Sequence, residues 1–148
     1  AREVREGWER RKQRRSGMAD PLGTVPASLP ALASAYRMTS RAADLGFDWE
    51  RDSDVAEIIE EELAEWREAQ ASHDPEAEEK EIGDLLFSIV NLARRRSVDP
   101  ESALRRAQAR FRSRFARVAE LARESGRAVG DVGAEELDVF WERAKAEE

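Results

Sequence analysis

Two Asp-Pro-Glu triplets, at residues 74–76 and 99–101, constrain the fold of this chain more than any other feature. Aspartate caps the free N–H groups of a first helical turn, proline is accepted there, and glutamate complements the positive end of the helix dipole. Each triplet therefore predicts the start of a helix. We expect the first of these helices to reach about Arg96 and the second to end near Gly126.

Other segments carry helix signals of different kinds. A helical pattern from Ala31 stops at Gly46, which is placed as a left-handed C-terminal cap. Ser53 or Asp54 can cap a helix that lasts to about residue 72, and a last helix is expected over residues 134–146. No segment alternates apolar and polar residues for long enough to predict a strand. The sequence therefore predicts an all-α helical bundle.

The first 28 residues stand apart from this pattern. Residues 4–15 form a charged segment that we expect to be helical, and a loop rich in glycine and proline follows it. The stretch "WERRK" at residues 8–12 recurs as "WERAK" at residues 141–145, a weak sign of tandem duplication. We expect an N-terminal segment and linker over residues 1–28 and a helical domain over residues 29–148.

Charge and composition exclude several classes of function. The chain has 148 residues, enough for one domain with a core, and its net charge of −7 opposes general binding to nucleic acid. No apolar run approaches the roughly 18 residues of a membrane span. The chain has no cysteine, which excludes disulfides and thiolate metal sites and fits an intracellular protein. We expect a cytoplasmic protein with no membrane or specific nucleic-acid partner.

The helix over residues 53–72 carries glutamates on two different sides. At about 100° per residue, one side gathers the apolar residues Val55, Ile59, Leu63 and Trp66. The glutamates far from it, which we expect to face solvent, are Glu57, Glu60 and Glu68. Three others lie on a flank next to the apolar residues, namely Glu61, Glu62 and Glu65.

The next helix carries a polar stripe through an apolar segment. Residues 82–93 are nearly all apolar, which predicts burial on most sides. The stripe consists of Glu81, Asp84, Ser88 and Asn91, at spacings of three, four and three. Carboxylates buried near one another repel. The acid pairs of the two helices therefore predict a cation between them.

The residue types bound the identity of this cation. A pair such as Glu62 and Glu65 is usually a surface feature. Asp84 lies in so apolar a helix that a salt bridge is the only alternative to a cation site. The sole histidine, His73, lies in a turn, and the Glu-x-x-His pairs of di-iron bundles are absent. Ligation by oxygen alone favours Mg²⁺ or Mn²⁺, which commonly accompany phosphate substrates.

A stripe of arginines marks the helix after residue 99. It consists of Arg106, Arg110, Arg114 and Arg117, beside an apolar side. Such a stripe can be solvated or paired with surface acid, and a nucleic-acid groove fits poorly with the net charge. Beside a metal site it suits a polyphosphate, because arginine binds phosphate oxygens with two parallel hydrogen bonds. Trp141 and Lys145 can add an aromatic surface and a cation, although Trp141 can equally fill the core.

These motifs resemble a known family. The stretches "EELAE", with Glu61, Glu62 and Glu65, and "EIGD", with Glu81 and Asp84, are similar to the E-E-x-x-E and E-x-x-D signature of MazG-type nucleoside triphosphate pyrophosphohydrolases, in the all-α NTP pyrophosphatase superfamily. The similarity continues through "RAADLGFDW", "GDLLFSIVNLAR", "DPESAL", "RFRSRF" and "EELDVFWERAK". It covers about residues 29–145.

The resemblance implies a magnesium-dependent hydrolysis of nucleoside triphosphates to monophosphate and pyrophosphate, with Mn²⁺ as a substitute. It implies these roles: metal ligands at Glu62, Glu65, Glu81 and Asp84, a water-orienting or proton-accepting acid at Glu61, phosphate contacts at Arg110 and Arg114, and substrate contacts at Trp141 and Lys145. At residue 110 the family often has lysine, and the arginine of this chain keeps the positive charge. A homodimer is also implied, and residues 8–12 resemble the tail of a preceding tandem domain.

Two other functions remain as alternatives to this enzyme. The first is a catalytically weak nucleotide-binding module or a regulatory helical dimerisation module, against which the intact set of acids argues. The second is a nucleic-acid adaptor that uses the arginine helix. Binding to DNA that depends on salt and needs no magnesium would favour the adaptor.

Overall fold

The computed structural model describes residues 20–147. Over this range the chain forms five α-helices and one 3₁₀ turn, with no strand: α1 Ala31–Asp44, α2 Asp52–Ser72, α3 Pro75–Arg95, α4 Pro100–Glu124, the 3₁₀ turn Val129–Asp131 and α5 Ala134–Ala146. The all-α prediction is confirmed. The predicted helix over residues 4–15 and its "WERRK" stretch lie outside the described residues.

Most helix ends follow the local signals. The Asp74 carboxylate accepts hydrogen bonds of 3.1 Å from the backbone N–H groups of Glu76 and Ala77, so it caps α3 as predicted. Gly46 follows α1 with a φ of 94°, in the left-handed region that glycine favours. The predicted start of α2 is wrong, because Asp54 lies inside the first turn and its carboxylate accepts a 3.2 Å bond from the N–H of Arg51.

The contacts divide the chain into two compact units, with the boundary at Pro100. In the first unit α3 packs against α1 and α2. Val55 of α2 and Val90 of α3 are each 1% exposed and form the centre of this core. The domain boundary predicted near residue 28 stays a prediction.

Ion pairs join the loop after α1 and the first residue of α2 to the C-terminal end of α3. Asp48 accepts a 2.6 Å bond from Arg94, and Asp52 accepts bonds of 2.9 Å from Arg95 and from Arg96. The guanidinium groups of Arg96 and Arg95 lower the pKa of the Asp52 carboxyl. The loop is therefore tied to the helix that carries the polar stripe.

The second unit contains α4, the 3₁₀ turn and α5. Its buried residues come from all parts of the unit and are Val118, Leu121, Ala122, Val132 and Ala144. Arg127, after α4, is paired with Glu136 of α5 at 2.5 Å. This pairing lowers the pKa of the Glu136 carboxyl.

The prediction that α3 is buried on most sides is wrong for the single chain. Ile82, Leu86, Phe87 and Ile89 are 44–51% exposed. The physical reason is that α3 packs mainly on two neighbouring helices, which leaves an apolar side uncovered. None of the helices within residues 20–147 has the length and apolar character needed to cross a membrane. The cytoplasmic location stays a prediction.

Candidate functional site

Three carboxylates meet where α2 packs on α3. Glu62 of α2 and Glu81 and Asp84 of α3 each offer one oxygen, and these oxygens all lie within 4.8 Å of one another. Glu81 and Asp84 are three positions apart, so they share one face of their helix. We call these three residues the acid cluster.

Glu81 is the most informative member of the acid cluster. Its residue is only 7% exposed, and its Oε1 accepts a 2.8 Å bond from Lys80 Nζ. Its Oε2 is buried and has no hydrogen-bond partner among the described residues. A buried carboxylate oxygen is costly unless it has a donor or a cation. The unpaired oxygen and the all-oxygen donor set therefore fit a hard divalent cation.

The acid cluster also shows the electrostatic strain expected of a cation site. Burial raises the pKa of the Glu62 carboxyl, and the negative charges of Asp84, Glu65 and Glu81 raise it further. Lys80 opposes this effect, since its Nζ lies 2.8 Å from Glu81 and 3.1 Å from Asp84 Oδ2. These two hydrogen bonds raise the pKa of the lysine.

Two predicted acids lie outside the acid cluster. Glu65 is exposed and is not among the oxygens within 4.8 Å, although its charge acts on Glu62. Glu61 is also exposed. The structure thus brings three of the four predicted ligands together, and the roles of Glu65 and Glu61 stay predictions. The glutamates that were expected to face solvent, Glu57, Glu60 and Glu68, are exposed.

The sequence interpretation missed Lys80 as part of this site. The signal was present, because residue 80 precedes Glu81 and lies four positions before Asp84 on the same helix. Asn91, at the end of the polar stripe, is 2% exposed and its Oδ1 accepts a 2.9 Å bond from Arg94 Nε. It therefore belongs to the core near the end of α3.

The second unit carries an aromatic groove with arginines on it. Phe111 and Phe115 of α4 stack with centroids 6.0 Å apart, and Phe111 lies 5.4 Å from the ring of Trp141 on α5. The Arg114 guanidinium lies 5.9 Å from the Trp141 centroid, which is a cation–π distance. The groove has a volume of about 850 Å³ and is also lined by Arg110. We call it the aromatic groove.

Three of the four predicted substrate-contacting residues line the aromatic groove, and the fourth does not. Arg110, Arg114 and Trp141 line the aromatic groove, and Trp141 is only partly buried. Lys145 does not line it and pairs instead with Glu142 at 2.6 Å. All four roles stay predictions.

Arg117, the last member of the predicted basic stripe, is paired with acidic side chains. The Arg117 Nε lies 2.6 Å from Glu147, and the same guanidinium contacts Glu120 and Glu124. These hydrogen bonds, that to Glu147 first, raise the pKa of Arg117. The surface-acid alternative is therefore correct for Arg117.

Comparison with protein families gives one match. The model described as phosphoribosyl-ATP pyrophosphohydrolase matches residues 38–111. This range contains the whole acid cluster and reaches the start of the aromatic groove.

Comparison with curated proteins gives relatives over almost the whole chain. The nucleoside triphosphate pyrophosphohydrolase/pyrophosphatase MazG of Thermotoga maritima is 44% identical over 140 residues, covering 93% of this chain and 54% of the relative. The nucleoside triphosphate pyrophosphohydrolase of Escherichia coli K12 is 34% identical over 151 residues, covering 99% of this chain and 57% of the relative. The uncharacterized protein YabN of Bacillus subtilis is 37% identical, and the match covers 99% of this chain and 30% of YabN.

The chain thus spans little more than half the length of the first two relatives. Their names confirm the resemblance that the acidic motifs predicted.

Proposed function

We propose that this chain, which belongs to the phosphoribosyl-ATP pyrophosphohydrolase family, hydrolyses nucleoside triphosphates to a nucleoside monophosphate and pyrophosphate with the help of Mg²⁺. The names of the T. maritima and E. coli relatives support the reaction. The acid cluster supports the dependence on a divalent ion. The expected biological role is the removal of unwanted nucleotides from the cellular pool.

One observation carries this proposal, the buried and unpaired Oε2 of Glu81 beside two further carboxylates. If no cation bound here, replacing the Glu81 carboxylate with an apolar or amide side chain would stabilise the protein. Glu62, Glu81 and Asp84 would hold the ion, and Glu65 would join them. When bound, Mg²⁺ would neutralise charge on the phosphates and make nearby water more acidic.

The remaining residues act on water and on the nucleotide. Glu61 is exposed on α2, where its carboxylate can orient a water molecule and accept its proton. Hydrolysis by water needs no covalent intermediate, and no His or Cys nucleophile is at hand in the acid cluster. The released proton would pass from water to the Glu61 carboxylate.

The aromatic groove would bind the nucleotide. A base can stack on Phe111 or Trp141, whose rings are partly exposed. Arg110 and Arg114 can donate charge-assisted hydrogen bonds to phosphate oxygens. The Arg114 guanidinium is held near the Trp141 ring, which reduces the entropy it loses on binding. Lys145 would add a cation once it leaves Glu142.

A homodimer is part of the proposal. The exposed side of α3, with Leu86 51% and Phe87 44% exposed, is an apolar surface of the kind that subunits bury on association. Sedimentation velocity tests it, and we expect a dimer at micromolar concentration. A monomer at all concentrations would contradict this part of the proposal without affecting the reaction.

A nucleotide panel tests the reaction. The full chain is incubated with ribo- and deoxyribonucleoside triphosphates and with phosphoribosyl-ATP, with Mg²⁺ or with a chelator, and products are separated by anion exchange. We expect monophosphate and pyrophosphate in equal amounts, only with Mg²⁺, and none from Glu81→Gln. Binding without turnover would favour the regulatory module. Hydrolysis of phosphoribosyl-ATP alone would change the substrate class.

A further inference from the structure

Lys80 is a basic residue in direct contact with the acid cluster. Its Nζ lies 2.8 Å from Glu81 Oε1 and 3.1 Å from Asp84 Oδ2, so it bridges two of the three carboxylates. Its side chain is nevertheless 63% exposed, whereas that of Glu81 is 9% exposed. The lysine thus reaches onto the acid cluster from solvent and has room to leave it.

The position of Lys80 makes this contact weak and reversible. It precedes Asp84 by four residues, and a lysine N-terminal to an acid at this spacing stabilises a helix less than the reverse order does. Lysine also has a long, flexible side chain that carries a compact charge. The pair with Asp84, whose two side chains are 63% and 49% exposed, contributes little, so a stronger cation can replace the lysine there.

We propose that Lys80 is a displaceable internal counter-ion, which neutralises Glu81 and Asp84 in the metal-free protein and competes with the divalent ion for them. This inference rests on the metal site of the proposed function. The lysine ammonium and the ion both need the oxygens of Glu81 and Asp84, so binding of the ion requires the two ion pairs to break. Lys80 therefore lowers the affinity of the site and sets the ion concentration at which it fills.

A second effect acts in the same direction. Even after Lys80 has left the carboxylates, its positive charge stays on the same helix face and repels a divalent cation. A neutral residue at this position removes both the competition and the repulsion. It also leaves the metal-free acid cluster without its counter-ion, so that Glu62, Glu81 and Asp84 repel one another more strongly.

Direct measurement of Mn²⁺ binding tests the inference without any substrate. The metal-free chain of residues 1–148 is titrated with Mn²⁺, and free Mn²⁺ is measured by its electron paramagnetic resonance signal. We expect Lys80→Gln to bind with a Kd about threefold to tenfold lower than that of the parent, in line with the loss of two partly exposed ion pairs. Lys80→Arg, which keeps the charge, should stay close to the parent.

Arg105→Gln is the matched control. Arg105 is 70% exposed and pairs with Glu101 at the same spacing of four residues, but on α4. It should leave the Mn²⁺ affinity unchanged. Thermal unfolding gives an independent readout, since Lys80→Gln should unfold at a lower temperature than the parent in chelator and should gain more stability from saturating Mn²⁺.

Each outcome bears on a distinct claim. An unchanged or higher Kd for Lys80→Gln, with the parent binding Mn²⁺, overturns the role of Lys80 and leaves the proposed function intact. Failure of the parent to bind Mn²⁺ any better than Glu81→Gln overturns both. Circular dichroism verifies that Lys80→Gln is folded, and Lys80→Met, a neutral side chain of similar length, repeats the measurement and must agree.

Discussion

Replacing Glu62 by glutamine should stabilise the metal-free protein. The oxygens of Glu62, Glu81 and Asp84 lie within 4.8 Å of one another. At that distance two unit charges repel by about 0.9 kcal/mol in water and by about 3.5 kcal/mol at an effective dielectric constant of 20. The Asp84 side chain is 49% exposed and Lys80 offsets part of the charge, so the lower figure applies. We expect Glu62→Gln to raise the free energy of unfolding by about 1 kcal/mol in chelator.

The same substitution should change the pH dependence of stability. Burial, followed by Asp84, Glu65 and Glu81, raises the pKa of Glu62 above its ordinary value of 4.5. Because the pKa of Glu62 is raised in the folded state, its protonated form contributes stability to the fold, and this contribution is fully present below the unfolded pKa. It is lost as the pH rises through the folded pKa. The stabilising effect of Glu62→Gln should therefore be absent near pH 4 and complete near neutral pH.

Thermal unfolding in chelator and in excess Mg²⁺ measures both effects. For a chain of this size about 1 kcal/mol corresponds to roughly 3 °C in Tm. Saturation at about 100 times Kd should add about 2.7 kcal/mol to the parent and much less to Glu62→Gln, so their order reverses with Mg²⁺. A variant that is less stable than the parent in chelator at neutral pH would refute the repulsion within the acid cluster. Glu57→Gln, exposed on the same helix, is the control.

Three further predictions concern catalysis. Asp84→Ala and Glu65→Ala should each abolish Mg²⁺-dependent hydrolysis while circular dichroism stays unchanged, and Glu57→Ala should retain it; full activity at limiting Mg²⁺ would remove either residue from the ligand set. Arg110→Ala and Arg114→Ala should each weaken triphosphate binding by about 1.5–3 kcal/mol in calorimetry, and monophosphate binding much less; equal losses would place the arginines away from the distal phosphates. In oxygen-18 water, mass spectrometry should find the label in the monophosphate if, as we propose, water attacks the α-phosphorus; label in pyrophosphate would mean attack at the β-phosphorus.

The sequence alone predicted the helices well, because helix ends are set by neighbouring residues. Asp74 caps α3 through N–H groups two and three positions away, and Gly46 supplies the left-handed conformation after α1. The predicted start of α2 was wrong, and the reason is again local. Several polar residues there compete for the cap, and Asp54 instead bonds back to the N–H of Arg51 from inside the first turn.

Helical periodicity predicted only in part which acids lean toward the core, because Glu61 and Glu65 were grouped with Glu62 and both are exposed. It separated Glu62 from the exposed Glu57, since the angle between residues on one helix depends on the sequence spacing alone. It could not predict which acids of the two helices would come together. That depends on the packing of α2 on α3, which brings Glu62 to Glu81 and leaves Glu65 outside the acid cluster.

Tertiary structure decided the partners of the charged groups. Lys80 bridges Glu81 and Asp84, a role that the sequence interpretation missed. Arg117, predicted as part of a basic stripe, bonds instead to Glu147, thirty positions away. An ion pair forms where packing brings two charges together, and its strength depends on how much water remains around them. Residue spacing encodes the face of a helix, whereas the distance between two helices comes from the side chains that pack between them.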